Sequence, residues 1–427
     1  MKQTYKGGKI INSGGFGCIF KPALKCENAT DRADNHITKL MTNKHAQDEY
    51  DLIQKIKTDL SHIPHYQNYF FVDGFTICKP DKLTQDDLYN YNKKCKPLKK
   101  KGITSKTIND SLNDISSLNM PYGGINIDDF ISDNFVSSKI INLNNSLINL
   151  LINGIIPMNQ SNIFHCDIKP GNVLVNIHET HFTPRLIDWG LSVKILNKNT
   201  IPKKLYRRPL QYNVPFSSIL FNNELNDRYK TFLEVNREPT DYQIREFVTN
   251  YIFIWMDIRG PGHIESINEI IDVLTVRELS DIKDTKIKNS VVEYNFTYYY
   301  IIEYLSRILK KYTKNGKLDL STYFYTVFLK NIDIWGFVTI HIALLEYLQK
   351  NVKELNFYQQ QFMNKIKYIV IHFLYENSTE PINTHELINE LTSLNTIIKH
   401  FNVVSVKTKI RRKHTKNETK KLRKKTI

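Results

Sequence analysis

The stretch "NIFHCDIKPGNVLV", residues 162–175, places four polar side chains between two apolar segments. The flanks "NIF" and "VLV" are mainly β-branched and apolar, which favours two short strands with a loop between them. Pro170 and Gly171 lie in that loop and are typical of turns. Charged groups buried without partners are strongly unfavourable, so these side chains are poor core material and good active-site material. The four are His165, Asp167, Lys169 and Asn172.

The spacing of the last three residues resembles the catalytic loop of eukaryotic-type protein kinases. In that family the Asp accepts the proton of the substrate hydroxyl and the Asn holds a metal ion. The resemblance implies catalytic roles for Asp167 and Lys169, a metal-binding role for Asn172 and structural support from His165. Lys169, followed by Pro170, is similar to the serine/threonine-specific loop, in which the Lys offsets charge on the transferred phosphate.

A second motif lies downstream in "RLIDWGLS", residues 185–192. It reads as a strand ending at Ile187, followed by Asp188, and resembles the Asp-Phe-Gly motif of the same family with Trp in the middle place. Taken alone, the string also fits a buried turn Asp. With the catalytic loop, the resemblance implies that Asn172 and Asp188 hold Mg²⁺ or Mn²⁺. A hairpin through "HETHFTP" is expected to bring the two ligands together.

A glycine-rich segment near the N-terminus, "IINSGGFGCIFKPAL" (residues 10–24), is predicted to form a strand, a turn and a second strand. Glycines let the backbone approach phosphates closely, although such a segment at a chain start is as often a flexible linker. It resembles the kinase glycine-rich loop, with Asn12 where the family has Gly; Asn is the residue next most tolerant of positive φ. The resemblance implies ATP binding by Ile11, Asn12, Ser13, Gly14, Gly15, Phe16, Gly17, Cys18 and Ile19.

Two further residues are expected to act on ATP. Lys39 lies in "HITKLM", a predicted strand, and resembles the Lys that binds the α- and β-phosphates. The next segment, "NKHAQDEYDLIQKIKTDL", has the pattern of a helix. Glu49 in this helix is similar to the Glu that pairs with that Lys. Asp48 is the competing choice, and an ordinary surface charge is the alternative for both.

Two more segments fit the resemblance. "SSLNMPYGGINIDDFI" is similar to a strand that passes into the interlobe hinge, which implies that Met120 and Tyr122 lie beside the adenine. "NIDIWGFVTIHIALLEYL" carries Asp333 at the head of an apolar helix. This resembles the central helix of the larger kinase lobe, whose Asp supports the catalytic loop. An N-capping Asp on an ordinary helix is the alternative.

The net charge of +16 is concentrated in two segments. Residues 79–106 hold nine Lys against three Asp, and residues 407–427 hold eleven Lys or Arg against one Glu. Neither shows hydrophobic periodicity, so we expect a surface loop and a disordered tail. Solvated appendages are the simple interpretation. The alternatives are docking to an acidic protein substrate, a nucleic acid or a nuclear-import receptor.

Cysteine count and hydropathy favour a reducing, aqueous compartment. Five cysteines are an odd number without a CxxC pair, which indicates neither a disulfide framework nor a zinc site. The longest apolar run, residues 337–345, is far shorter than the roughly 18 residues that a membrane span needs. We therefore expect a cytoplasmic protein that does not bind membranes.

The predicted fold class is α+β, as the bilobal kinase fold implies. We expect a small β-rich N-lobe at residues 1–123, with the segment 79–106 inserted, and a larger helical C-lobe at residues 124–406. Residues 221–330 separate the two blocks that resemble the family. Helix-periodic pieces indicate an inserted helical subdomain there. They lie at 242–257, 264–275 and 296–313.

The expected function is ATP-dependent phosphoryl transfer to serine or threonine hydroxyls of proteins. A small-molecule kinase of the aminoglycoside or choline type and a pseudokinase that only binds partners are the alternatives. Two departures concern regulation and docking: Cys166 replaces the usual Arg, and the Ala-Pro-Glu motif is unrecognisable. Heavy use of Asn, Ile, Lys and Tyr resembles divergent (mimivirus-like) kinases of large nucleocytoplasmic DNA viruses. That resemblance implies the host cytoplasm, with virion packaging and nuclear import through the tail as alternatives.

Overall fold

The computed structural model describes residues 8–33, 35–177, 181–197, 200–279 and 295–401, and 56% of it is helix. The predicted α+β class is confirmed. The chain divides into two compact units, of which the first comprises Met1–Asn126, Ile152–Asp167 and Asn172–Ile195. The second comprises Ile127–Leu151, Ile168–Gly171 and Leu196–Ile427. Residues 152–167 and 172–195, which we assigned to the larger lobe, thus belong to the first unit, and the predicted tail lies outside the described residues.

The first unit is built on a five-stranded antiparallel sheet in the order β1-β2-β3-β5-β4. β3 and β5 lie at its centre and pair over seven residues, from His36↔Pro121 to Thr42↔Ile115. Both strands bury apolar side chains, which is why they take the inner positions. The strands are β1 Lys9–Ser13, β2 Gly17–Lys21, β3 His36–Thr42, β4 Thr76–Cys78 and β5 Ile115–Pro121.

Helix α1, Asn43–Leu60, follows β3 directly and confirms the predicted helix. Ala46, Ile53, Ile56 and Leu60 are its buried residues, and their spacing of three, four and seven places them on one face. This face packs against β3 and β5. Each fully buried aliphatic side chain contributes about 1.5–3 kcal/mol to folding.

Short strands surround the stretch that opened the sequence analysis. β7, Ile163–Phe164, pairs with β10, Val193–Lys194. β6, Ile125–Asn126, lies beside β8, Val173–Ile177, which pairs with β9, Phe182–Leu186. The two strands predicted to flank the loop are therefore present as β7 and β8. The predicted hairpin is also present as β8 and β9, with residues 178–180 outside the described part of the chain.

The lysine-rich segment 79–106 is partly helical and packs within the first unit, so the expectation of a surface loop is wrong. It contains two short helices, α2 Tyr91–Lys94 and α3 Lys96–Lys100. Tyr91, Cys95 and Leu98 are fully buried in one cluster with residues of β1, β2 and β3. These three residues follow the i, i+4, i+7 spacing of a helix face, which the intervening lysines and Pro97 obscure in the sequence.

Two disulfides, Cys18–Cys95 and Cys26–Cys78, join segments of the first unit, with Cα–Cα distances of 5.4 and 5.9 Å. The expectation of no disulfide framework is therefore wrong. The partners lie 77 and 52 residues apart, a separation that spacing rules cannot pair without the fold. Cys166 is buried and belongs to neither disulfide. One bridge fastens the lysine-rich segment to β2, directly after the glycine-rich turn.

We predict that reduction destabilises the first unit. A native disulfide contributes about 2–4 kcal/mol, so a thiol reductant should lower the melting temperature by several degrees. The double variant Cys18→Ser/Cys95→Ser should show the same loss without reductant. Thiol titration of unfolded, unreduced protein should count one thiol, that of Cys166, out of five cysteines. Five thiols before reduction would contradict the two bridges.

The second unit is helical. The predicted helical pieces at 242–257, 264–275 and 296–313 are confirmed as α8, α9 and α10. Thr240 and Gln243 form a capping box that starts α8, which explains its sharp N-terminus. Its helices are α4 Ile127–Asn134, α5 Ser137–Leu150, α7 Asn223–Val235, α8 Asp241–Arg259, α9 Ile264–Leu279, α10 Asn295–Tyr312, α11 Leu320–Tyr323, α12 Leu329–Thr339, α13 Ile342–Lys350, α14 Phe357–Val370 and α15 Thr384–Ile398. α6, Ile156–Gln160, continues α5 through a π-helical turn into the first unit.

Helix α12 forms the centre of this unit, and all its residues except Lys330 are buried. Trp335 donates a hydrogen bond from Nε1 to the Tyr212 carbonyl at 2.8 Å. A π-helical turn joins α11 to α12, so Asp333 lies inside a continuous helix. The predicted position of Asp333 at the helix head and the N-capping alternative are therefore both wrong.

Two helical stretches in the described part of the chain are long and apolar enough to span a membrane. They are Ser137–Gln160 and Leu320–Lys350, with mean hydropathies of 1.2 and 1.4 over their most apolar windows. The second window is 94% buried, as in the core helix of a soluble protein. Length and composition alone are weak evidence for a membrane.

We predict that acid weakens the second unit through His341. Burial lowers the pKa of His341 to about 4, below its ordinary value of 6.5, and its ring is fully enclosed. Neutral His341 therefore stabilises the fold above pH 6.5, and this contribution is lost as pH falls toward 4. At pH 5 the loss is about 2 kcal/mol. Chemical denaturation at pH 7 and 5 should show this extra loss in the native protein but not in His341→Gln; equal pH dependence would contradict it.

Candidate active site

Hydrogen bonds between Asp167 and Asn172 join the two ends of the predicted catalytic loop. The Asn172 amide donates from Nδ2 to the Asp167 carbonyl at 2.8 Å and to its carboxylate Oδ2 at 3.0 Å. Both side chains are 6% exposed. Since the amide nitrogen is used in this way, the amide oxygen of Asn172 is the atom left to accept or to bind a metal ion.

His165 links the loop to the end of β9. Its Nδ1 accepts a hydrogen bond from the Asp167 backbone N–H at 3.3 Å, and Nε2 lies 2.9 Å from the Ile187 carbonyl. This pattern requires the neutral tautomer with the proton on Nε2, which donates to Ile187. The ring also lies 4.7 Å from the Trp189 ring. His165 therefore holds the backbone on both sides of the candidate site.

Asp188 lies beside Asn172 across the β8–β9 pair. The Ile187 N–H donates to the Asn172 carbonyl at 3.0 Å, directly before Asp188 in the chain. The Asp188 side chain is exposed and makes no side-chain hydrogen bond or ion pair within the residues that the structure describes. Asp188 and Cys166 adopt left-handed φ values of 63° and 62°. Such conformations cost about 1–3 kcal/mol and cluster at functional sites.

Lys39 and Glu49 form an ion pair between β3 and α1. Lys39 Nζ lies 2.7 and 2.6 Å from the two carboxylate oxygens of Glu49, and both side chains are partly buried. Asp48, the competing choice, is exposed. α1 also packs against the turn Trp189–Leu191, directly after Asp188. Thus the helix that carries Glu49 is in contact with the turn that follows Asp188.

The glycine-rich turn joins β1 to β2, as predicted. A side chain at Gly14 or Gly15 would meet nothing within 4 Å, so the space around this turn is open. Gly17 allows β2 and β3 to lie close together, since a Cβ there would lie only 2.5 Å from the Leu40 carbonyl of β3. Asn12 lies at a bulge in β1 and accepts at Oδ1 from the Ser13 N–H at 2.7 Å; its φ is not positive, contrary to our expectation.

The remaining predicted ATP-binding residues lie in or near the same sheet. Ile11, Ser13, Cys18 and Ile19 belong to β1 and β2, and the ring of exposed Phe16 lies 4.7 Å from the ring of His45 in α1, tilted by 38°. Met120 is buried in β5. The Tyr122 N–H donates to the Asn35 carbonyl at 2.7 Å, so in this structure it is not a donor for a base. Lys21 Nζ lies 3.2 Å from the centre of the Tyr122 ring.

Lys169 and Asp333 belong to the second unit. Lys169 is half-buried and Asp333 is fully buried. The segment Ile168–Gly171 is held against α12: the Ile168 carbonyl accepts from Asn213 Nδ2 at 3.3 Å, and a Cβ at Gly336 would lie 2.6 Å from it. Sequence reasoning missed Asn213, for which the sequence carries no signal. It also missed the reason for Gly336, which lies three residues after Asp333 in the stretch quoted above.

The donor set fits a hard divalent cation. Asp188, Asn172 and Asp167 offer only oxygen ligands to a metal, and Mg²⁺ needs just one or two carboxylates because water and phosphate complete its shell. Within the described residues no group of three or more His, Cys, Asp and Glu side chains is placed to hold a metal.

No protein-family model matches the chain, and no curated protein matches it.

We predict that His165→Ala destabilises the first unit by about 2–4 kcal/mol, because it leaves a cavity and removes the partner of the buried Asp167 N–H and of the partly buried Ile187 carbonyl. Urea denaturation measures the loss. His62→Ala is the matched control, since exposed His62 also makes a hydrogen bond, to Ser161 at 2.6 Å. The control should cost less than about 1 kcal/mol. Equal losses in the two variants would show that His165 does not organise the site.

Proposed function

We propose that the protein is an ATP-dependent serine/threonine protein kinase with a divergent kinase fold. The observation that carries the proposal is the ion pair between Lys39 and Glu49, formed in the same unit that holds Asp167, Asn172 and Asp188. If the ion pair only joined the strand to the following helix, the fold would not also require a hydrogen-bonded Asp–Asn loop and an exposed Asp in the same unit. Phosphoryl transfer needs all of them.

Each residue has a distinct task in the proposed reaction. Lys39, held by Glu49, binds the α- and β-phosphates of ATP. The backbone at Gly14 and Gly15 approaches the phosphates because no side chain obstructs it. Asn172 and Asp188 would hold Mg²⁺ or Mn²⁺, which offsets the negative charge of the phosphates. These interactions lower the barrier by positioning and electrostatics.

Asp167 orients the acceptor hydroxyl and takes its proton. The hydrogen bond from Asn172 restrains the Asp167 carboxylate, so little reorganisation is needed when the hydroxyl arrives. Lys169 offsets charge on the transferred group. The pair Lys169–Pro170 favours serine and threonine over tyrosine, because it is similar to the serine/threonine-specific loop.

The two disulfides bear on the proposed location. Disulfides persist in oxidising surroundings, including virion surfaces, and are rare in a reducing cytoplasm. They therefore favour packaging in particles among the alternatives for a viral protein. The substrate on this proposal is a protein that meets the enzyme there.

We predict that purified protein transfers phosphate from labelled ATP, with Mg²⁺ or Mn²⁺, to a generic basic protein. Hydrolysis of the product should give phosphoserine or phosphothreonine. Asp188→Asn should lower the rate by about two to four orders of magnitude, since it removes a charged ligand of the metal. Glu49→Gln should also lower it, whereas Asp48→Asn, one residue away and exposed, should not.

Near-normal turnover in Asp188→Asn would refute the proposed site. Nucleotide binding without transfer to any protein would favour the small-molecule kinase or the pseudokinase. Metabolite hydroxyls would then be tested as acceptors.

A further inference from the structure

A groove of about 680 Å³ lies between α7 and α8 in the second unit. Its apolar wall is formed by Phe232, Phe247 and Ile254, which are only half-buried. The Phe232 and Phe247 rings lie 5.0 Å apart. Half-buried aromatic side chains in a groove offer contact area to an apolar side chain of a partner.

The charged residues of this groove are mainly acidic. Glu224, Asp227 and Glu246 line it, against one guanidinium, that of Arg228, which pairs with Glu224. Asp227 and Glu246 are exposed and pair with no cation among the residues that the structure describes. The groove is thus net negative in a chain of net charge +16. Charge complementarity favours a basic segment with an apolar residue as its occupant.

We propose that the occupant is the chain's own basic tail, residues 407–427. The tail has the required composition, with eleven Lys or Arg against one Glu and single apolar residues, Ile410 and Leu422, within its basic runs. One apolar side chain contacts the Phe232–Phe247 wall, and the flanking cations pair with Asp227 and Glu246. This inference does not depend on the proposed kinase activity.

The length of the chain allows this contact. The described residues end at Phe401, in the same unit as the groove, and 26 residues follow. Extended, they reach about 85 Å, whereas a domain of this size is about 45 Å across. A tethered segment has an effective concentration of about 1 mM, so a contact with a Kd of about 0.1 mM would be occupied in about nine of ten molecules.

Zero-length carbodiimide cross-linking of the full chain tests the proposal, because it joins carboxylates to lysines in direct contact. Mass spectrometry should find tail lysines coupled to Asp227 or Glu246 roughly tenfold more often than to other exposed carboxylates, and salt near 1 M should abolish the preference. The double variant Asp227→Asn/Glu246→Gln removes the reactive groups. In that variant, links from the tail to Glu224 at the groove rim should fall severalfold.

Asp257→Asn is the matched control, since Asp257 is exposed on α8 but does not line the groove. It should leave the links to Asp227 and Glu246 unchanged. Mixing chains with and without heavy nitrogen distinguishes links within one chain from links between copies. Tail links spread evenly over exposed carboxylates would overturn the proposal. Links found only between copies would overturn it too, because the occupant would then be another chain's tail.

Discussion

The hydrogen bonds from Asn172 to Asp167 are the constraint on which the candidate site depends. They fix the two ends of a six-residue loop whose outer neighbours are the strands β7 and β8. The carboxylate of Asp167 and the amide of Asn172 are nearly fully buried, so each would be costly without the other. His165 extends the constraint to Ile187, and from there to the position of Asp188. These few hydrogen bonds thus connect the backbone positions of Asp167, Asn172 and Asp188, the three residues whose side chains offer oxygen ligands.

The strands β1 and β2 of the first unit are held by a different kind of bond. The disulfide between Cys18 and Cys95 joins β2 to the packed lysine-rich segment, and Lys94 donates from Nζ to the Ile10 carbonyl of β1 at 2.8 Å. The lysine-rich segment therefore bonds to the strands on both sides of the glycine-rich turn. Gly14 and Gly15 themselves have open space around them. Fixed strands with an open turn between them suit a loop that must adapt to a ligand while the pairing of β1 with β2 stays unchanged.

The residues that could be predicted from the sequence are those whose signals are local. The flanking strands of the catalytic loop, α1 and the three helices between residues 241 and 312 follow from apolar periodicity over adjacent residues. The local pattern predicts the strand of Lys39 and the helix that follows it, whereas the choice of Glu49 over Asp48 as the partner comes from the resemblance to the kinase family. The disulfides, the packing of Tyr91 and Leu98, and the contact of Ile168 with Gly336 depend on residues far apart in sequence. Periodicity carries no information about such pairs, and it gives no sign of the positive φ values of Cys166 and Asp188.

The two basic segments show why net charge alone is a poor guide to partners. Both have high lysine content and no clear periodicity in sequence. The segment 79–106 is nevertheless anchored by buried Tyr91, Cys95 and Leu98, and its lysines lie on the surface of a packed structure. Lysines can surround such an apolar contact, because their aliphatic stems pack along it while the ammonium groups stay in water. The tail has no comparable set of apolar residues with which to pack. Its charge must be met by solvent or by an acidic surface, and the groove between α7 and α8 supplies such a surface within the same chain.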